Sequence, residues 1–258
     1  EIEDAEGYRV VAKVTSLEYG GQGGDISDDE EDAPSTDDGV FDLEEEKKDA
    51  TPLRKYADDM GAYIGTAVRM WDIPVNNDND ARTALIAKEY NAVVCENEMK
   101  FDATEPSRNT FNYTEGDKLV SFANRHKMML RGHALVWYQQ VAGWVSSDGK
   151  KNDKNWTKEQ LMDILKNHIT NVVSHWKGKV HEWDVCNEVL EDDQSIVYSD
   201  PNGYTLRQES VWTKVCGEEY IDSAFVWAHR ADPDAILILN DYSVESKGYA
   251  KTEAFYNL

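Results

Sequence analysis

Residues 180–193 read VHEWDVCNEVLEDD, an apolar run that turns to acid at Asn187 and Glu188. A carboxylate placed where a buried strand reaches solvent can give or take a proton, and it needs a second group to work with. The pairing of carboxylate and amide recurs at Glu96-Asn97, with Lys100 close behind. Trp137-Tyr138-Gln139-Gln140 and Asn240-Asp241 follow two further apolar runs. Carboxylate, amide and aromatic groups together suit a polar, ring-shaped substrate without net charge, for which Trp137, Tyr138, Trp144 and Trp183 offer flat apolar platforms. Taken singly, Glu188 reads equally well as a solvated loop acid, since Glu191, Asp192 and Asp193 follow it. A single Trp near a strand end is more often core. The grouping carries the reading. Alternation across a strand places Glu182, Asp184, Cys186 and Glu188 on one face.

The elements that must position these residues have a regular rhythm from residue 51 onward. YIGTAVRM (63–70), NAVVCE (91–96), MMLRGHALVW (128–137), VHEWDVC (180–186) and AILILN (235–240) are short apolar runs, each followed by a helical pattern. The clearest helix has Leu161, Ile164, Leu165, His168, Ile169, Val172, Val173 and Trp176 at helical spacing. A second stripe is Ile221, Ala224, Phe225 and Ala228, stopped by ADPDA. Near-continuous apolar strands alternating with helices predict parallel βα units. A doubly wound sheet and a closed (β/α)8 barrel both satisfy that pattern. No strand leads into a Gly-rich phosphate loop, and the polar clusters fall at several strand ends, where a barrel builds its site. The barrel is the expected fold, and residues 51–258 supply five of its eight units.

A chain of 258 residues with 40% hydrophobic content can bury one large core. No apolar run approaches the roughly 18 residues of a membrane span, and no signal peptide is read at the start. The net charge of −23 argues against nucleic acid. Residues 1–50 hold 18 Asp/Glu against 4 Lys/Arg, so most of that charge lies in this acidic N-terminal extension. Within it, GGQGGDISDDEEDAPSTDDG (20–39) has too little apolar content to offset ordering and is expected to be disordered. Asp25, Asp28, Asp29 and Glu31 there imitate a calcium loop without its ligand spacing. YRVVAKVTSLEY (8–19) partly alternates, as a strand would. Cys95, Cys186 and Cys216 are too few for a disulfide framework and read as buried free thiols.

The long run 91–137, NAVVCENEMKF through RGHALVW, together with WDVCNE (183–188) and LNDYS (239–243), resembles glycoside hydrolase family 10, the retaining endo-β-1,4-xylanases. The resemblance covers residues 52–258. A family 5 cellulase would continue Asn-Glu with Pro, where Val189 stands here. The family likeness implies a (β/α)8 TIM barrel that needs no cofactor or metal and acts on xylan or xylo-oligosaccharides. It implies Glu188 as general acid/base and Asn187 as partner of the sugar 2-hydroxyl. It makes Glu96, Asn97 and Lys100 the grip on the sugar at the non-reducing side, His133 and Trp137 the adjoining floor, and Tyr242 a further binding residue. Asp184 is expected to orient His133.

Two departures from the family stand out. Tyr138 occupies the place of a His, which bears on binding next to the cleavage point. The family's nucleophile is a Glu at the end of the seventh strand, and so is expected beyond residue 258 or on a second polypeptide carrying the rest of the barrel. Glu96 is no substitute, being assigned to sugar binding. A non-hydrolytic xylan-binding module and a metabolic barrel enzyme are the alternative functions; the latter lacks a convergent Lys/Arg phosphate site. Because xylan cannot enter cells, an extracellular or cell-surface location is expected.

Overall fold

The computed structural model describes residues 51–193, 195–196 and 202–258, and the backbone of a short antiparallel ribbon, β1 (Ile2–Glu3) with β2 (Arg9–Val10). The acidic stretch 20–39, with its calcium-loop imitation, and most of the strand expected over 8–19 lie outside the described residues.

Five strands, β3 (Gly65–Val68), β4 (Ala92–Cys95), β5 (Met129–Val136), β6 (Glu182–Asn187) and β7 (Ile236–Asn240), form one all-parallel sheet in chain order. That order decides between the two architectures. A doubly wound sheet reverses its strand order at a switch point, whereas here every new strand joins the same edge, as in a barrel wall. Helices fill the crossovers. α1 (Leu53–Met60) precedes β3 and α2 (Ala81–Glu89) follows it, while α3 (Phe101–Thr104) and α4 (Thr114–Arg125) follow β4. α5 (Lys158–His175) follows β5, α6 (Val211–Cys216) and α7 (Glu219–Ala231) follow β6, and α8 (Ala250–Asn257) follows β7.

Local sequence sets these elements. Thr157 and Gln160 cap α5 reciprocally, each side chain accepting the other's backbone N–H. Its apolar stripe, Leu161 to Val173, is buried as the spacing predicts, and Trp176 closes the helix fully buried. Asp80 caps α2 through the N–H groups of Arg82 and Thr83. The three cysteines are free and buried.

Two sequence expectations are corrected here. Trp183 is fully buried and is no platform for a substrate. Its indole lies on the bare backbone of Gly132 in β5, where a Cβ would come within 2.2 Å of the ring. The expected shared face of Asp184, Cys186 and Glu188 also fails. β6 pairs Asp184 with Ile238 and then Cys186 with Leu239, so one extra residue bulges between them. A bulge resets the alternation. Cys186 is buried with Tyr220 and Asp222 of α7 as electrostatic neighbours, while the next residue, Asn187, turns to Asn240 of β7.

Candidate active site

The ends of β3 to β7 stand side by side, so their exit residues form a row. Glu188 leaves β6 with φ +53°, a left-handed conformation that a non-glycine residue holds only when its surroundings fix it. Three contacts do so. Its N–H donates to Asn240 O at 2.8 Å, its carbonyl accepts Arg207 Nε at 3.0 Å, and its Oε2 accepts Trp137 Nε1 at 2.8 Å. The carboxylate is partly exposed, as a group that must meet a substrate has to be.

Beneath it a partly buried hydrogen-bonded chain crosses three strands. Asn187 Oδ1 accepts Asn240 Nδ2 at 2.7 Å, and Asn240 Oδ1 accepts Arg131 Nη2 at 3.1 Å. Arg131 grips Asp184 through Nε and Nη2, and Asp184 Oδ2 lies 2.8 Å from His133 Nδ1. The expected pairing of Asp184 with His133 is present. The Arg131 guanidinium that shares the carboxylate was not anticipated, although Arg131 and His133 alternate onto one face of β5. Asp184 is only 3% exposed, and its charge is matched by Arg131, which keeps about a third of its side chain in water.

On the other side Lys100 joins the row. Its Nζ donates to Gln140 Oε1 at 2.7 Å and to Asn97 Oδ1 at 3.3 Å, and it stands 4.5 Å over the Trp137 ring. Lys100, Trp137 and Glu188 are thereby in sequence, the ring touching both. Burial pushes the Lys100 ammonium pKa down, while Asp102, Glu188, Glu96 and Glu98 oppose that. Glu96 is exposed and meets Arg69 Nε at 3.6 Å. Neighbouring Glu98 accepts the N–H of Met70 at 2.9 Å and that of Asn97 at 3.2 Å, tying the exit of β3 to the loop after β4.

Tyr242 follows directly on β7 and Asp241. It is 45% exposed with Lys251 Nζ 3.7 Å over its ring. Lys251 also binds Asp192 at 2.7 Å and Asp241 at 2.8 Å. Burial acts to raise the Asp192 pKa, but hydrogen bonds from Arg207, Lys251 and Tyr242 outweigh it and hold the carboxyl well below the usual range. Arg207, 4% exposed, thus links this cluster to the Glu188 carbonyl, and it stacks 4.4 Å over Tyr138. Tyr138 is 8% exposed, a support under Arg207. Half-buried Trp144 spends its indole N–H on Glu105 O at 2.9 Å and leans on Phe101. Arg207 was invisible to sequence reasoning, since it lies on an irregular segment without periodicity. Among the described residues no cluster of His, Cys, Asp and Glu is arranged for a metal ion, and no helix is long and apolar enough to cross a membrane.

This arrangement can fix a carboxyl group for proton transfer and hold a polar ring beside it. Residues 52–258 match the family model of Glycosyl hydrolase family 10. Endo-1,4-beta-xylanase B of Thermotoga neapolitana is 37% identical over 209 residues, covering 80% of this chain and 54% of that protein. Xylanase 10B of Thermotoga petrophila RKU-1, solved in complex with xylobiose, superposes with a TM-score of 0.69 at 40% identity, over 81% of this chain and 58% of that one. An intracellular xylanase of Thermoanaerobacterium saccharolyticum does so with a TM-score of 0.68 at 35% identity, over 82% and 62%. The chain therefore spans less than two thirds of the length of these relatives.

Proposed function

This chain belongs to glycosyl hydrolase family 10, its parallel strands forming part of that family's (β/α)8 barrel, and we propose that it carries the acid/base side of a retaining endo-β-1,4-xylanase. Glu188 protonates the departing glycosidic oxygen and later takes a proton from the incoming water. Because Oε2 already accepts the indole N–H of Trp137, the proton to be transferred belongs on Oε1. Asn187 meets the 2-hydroxyl of the sugar beside the bond being cut. Glu96, Asn97 and Lys100 grip the next sugar towards the non-reducing end, over a floor of His133 and Trp137, and Tyr242 is a further binding residue.

The single observation that supports this reading best is the three-point fixing of Glu188 at a strand end, next to a buried Lys100. Retention of configuration needs a second carboxyl group about 5–5.5 Å away as nucleophile. Barrel units outside these 258 residues supply it in this proposal, whether along the same polypeptide or on a second one. An extracellular or cell-surface site of action belongs to the same proposal; family membership does not carry it, since one solved neighbour is intracellular.

Reducing-sugar release from xylan by the intact protein, with the anomer of the first product read by NMR, is the test. The proposal expects internal cleavage and an initial β-anomer. Retarded migration in a xylan gel without any release would favour a non-hydrolytic xylan-binding module, and an initial α-anomer would rule out the retaining mechanism.

A further inference from the structure

The grip and the acid/base use the exits of β4, β5 and β6, which leaves the exit of β3 without a role. That exit carries Trp71, 75% exposed, the largest exposed apolar side chain at this end of the sheet. Isolated exposed apolar residues are ordinary, but this one is braced. The Arg69 guanidinium lies 4.5 Å from the centre of the Trp71 ring. Arg69 is itself held by Asp72 at 2.6 Å and approaches Glu96 at 3.6 Å. Met70, between them, is bonded through its N–H to Glu98 on the loop after β4. The indole is thus fixed on the segment that flanks Glu96 on the side away from Glu188.

We propose that Trp71 is the stacking platform for one further xylose unit, beyond the unit held by Glu96, Asn97 and Lys100. The row of strand exits sets the direction: Glu188 on β6, Trp137 on β5, Lys100 and Glu96 on β4, then Trp71 on β3. A pyranose ring turns its C–H face to an aromatic ring and its hydroxyls to water, which suits an exposed indole with a polar surround. Arg69 keeps the indole from rotating away and sits where it can reach a hydroxyl of the same unit.

This subsite rests on the xylan reading above, and the experiment separates the two. Isothermal titration of the intact protein is run with xylobiose, xylotriose and xylotetraose, using Glu188→Gln as background to slow cleavage, with the oligomers checked for integrity afterwards. Trp71→Ala is expected to lose roughly tenfold in affinity for one of the longer oligomers, equivalent to about 1.4 kcal/mol, and to bind xylobiose within about twofold of the parent. Trp71→Phe, which retains a ring, is expected to recover most of that loss. Because the side chain is exposed, both variants should keep the parent melting temperature, and that is measured alongside. Equal losses for xylobiose and xylotetraose, or no loss for any oligomer, would overturn the subsite. A parent protein that binds no xylobiose at all would overturn the xylan reading, and the subsite with it.

Discussion

Within and just past β5 and β6, a buried charged group is shared between two partners. Asp184, 3% exposed, serves both Arg131 and His133, and Arg207, 4% exposed, serves both Glu188 and Asp192. At the exits of β3 and β4, Arg69 and Glu96 are 42% and 49% exposed and meet only at 3.6 Å, and Trp71 stands in water. Between the two lies Lys100, buried yet reaching both ends. The difference follows the task proposed for each end. Proton transfer tolerates little displacement, so its carboxyl group is fixed by groups that are themselves fixed. Sugar binding is spread over many weaker contacts, each of which can remain partly solvated.

If that contrast is real, the largest effect comes from the buried cluster. Asp184→Ala leaves Arg131 and His133 without their carboxylate and should destabilise the fold by well over the roughly 1 kcal/mol of an exposed pair, up to about 3–5 kcal/mol, read by urea unfolding. A loss below about 1 kcal/mol, the range of an exposed ion pair, would erase the contrast. A smaller effect is expected from Lys100→Ala, which removes hydrogen bonds to one sugar unit and leaves its partners unpaired, at roughly 1–3 kcal/mol of binding energy. The loss should be heavier for xylobiose than for long chains, which keep contacts elsewhere. Equal losses would remove Lys100 from the grip.

The smallest effect concerns what supports the binding end. Lys100 leads into α3, whose Phe101 stacks 3.7 Å from His168, and His168 Nδ1 lies 3.1 Å from Glu105 Oε2. Burial lowers the His168 pKa, a shift only partly offset by Glu105. The unfolded chain then binds a proton that the folded chain does not, so this group's contribution to stability rises with pH. The stability should fall as pH drops below about 6.5, down to the lower folded-state value. The slope is at most about 1.4 kcal/mol per pH unit, and His168→Gln should remove it. An unchanged slope in that variant would mean His168 is protonated in the fold.

The five strands were legible because each is a short apolar run bounded by polar residues, and α5 because its stripe spans four turns without a break. The link from Asp184 to His133 followed from the family likeness, and the contact is present although the shared face of Asp184 and Glu188 is not. The bulge before Cys186 was not legible, because a register shift depends on the neighbouring strand and leaves no periodicity behind. Trp183 was misread as a platform, since apolar side chains at a strand end look alike whether they face core or mouth. Gly132, a glycine in mid-strand, was the signal for the close approach it makes. Arg207 had no signal, lying 19 residues past Glu188 on an irregular segment. Charged residues mid-strand, such as Arg131, are rarely placed there without a buried partner, and that rule would have found the cluster.

The central claim is that Glu188 supplies the proton to the leaving group. Its most direct test compares Glu188→Gln with the parent enzyme on xylan and on aryl xylobiosides whose phenols leave readily without protonation. The account predicts that kcat/KM on xylan falls by about 10²–10⁴-fold or more, while the first-step rate on the activated aryl substrate stays near the parent value. Equal losses on both substrates would contradict it and remove Glu188 from the acid's role.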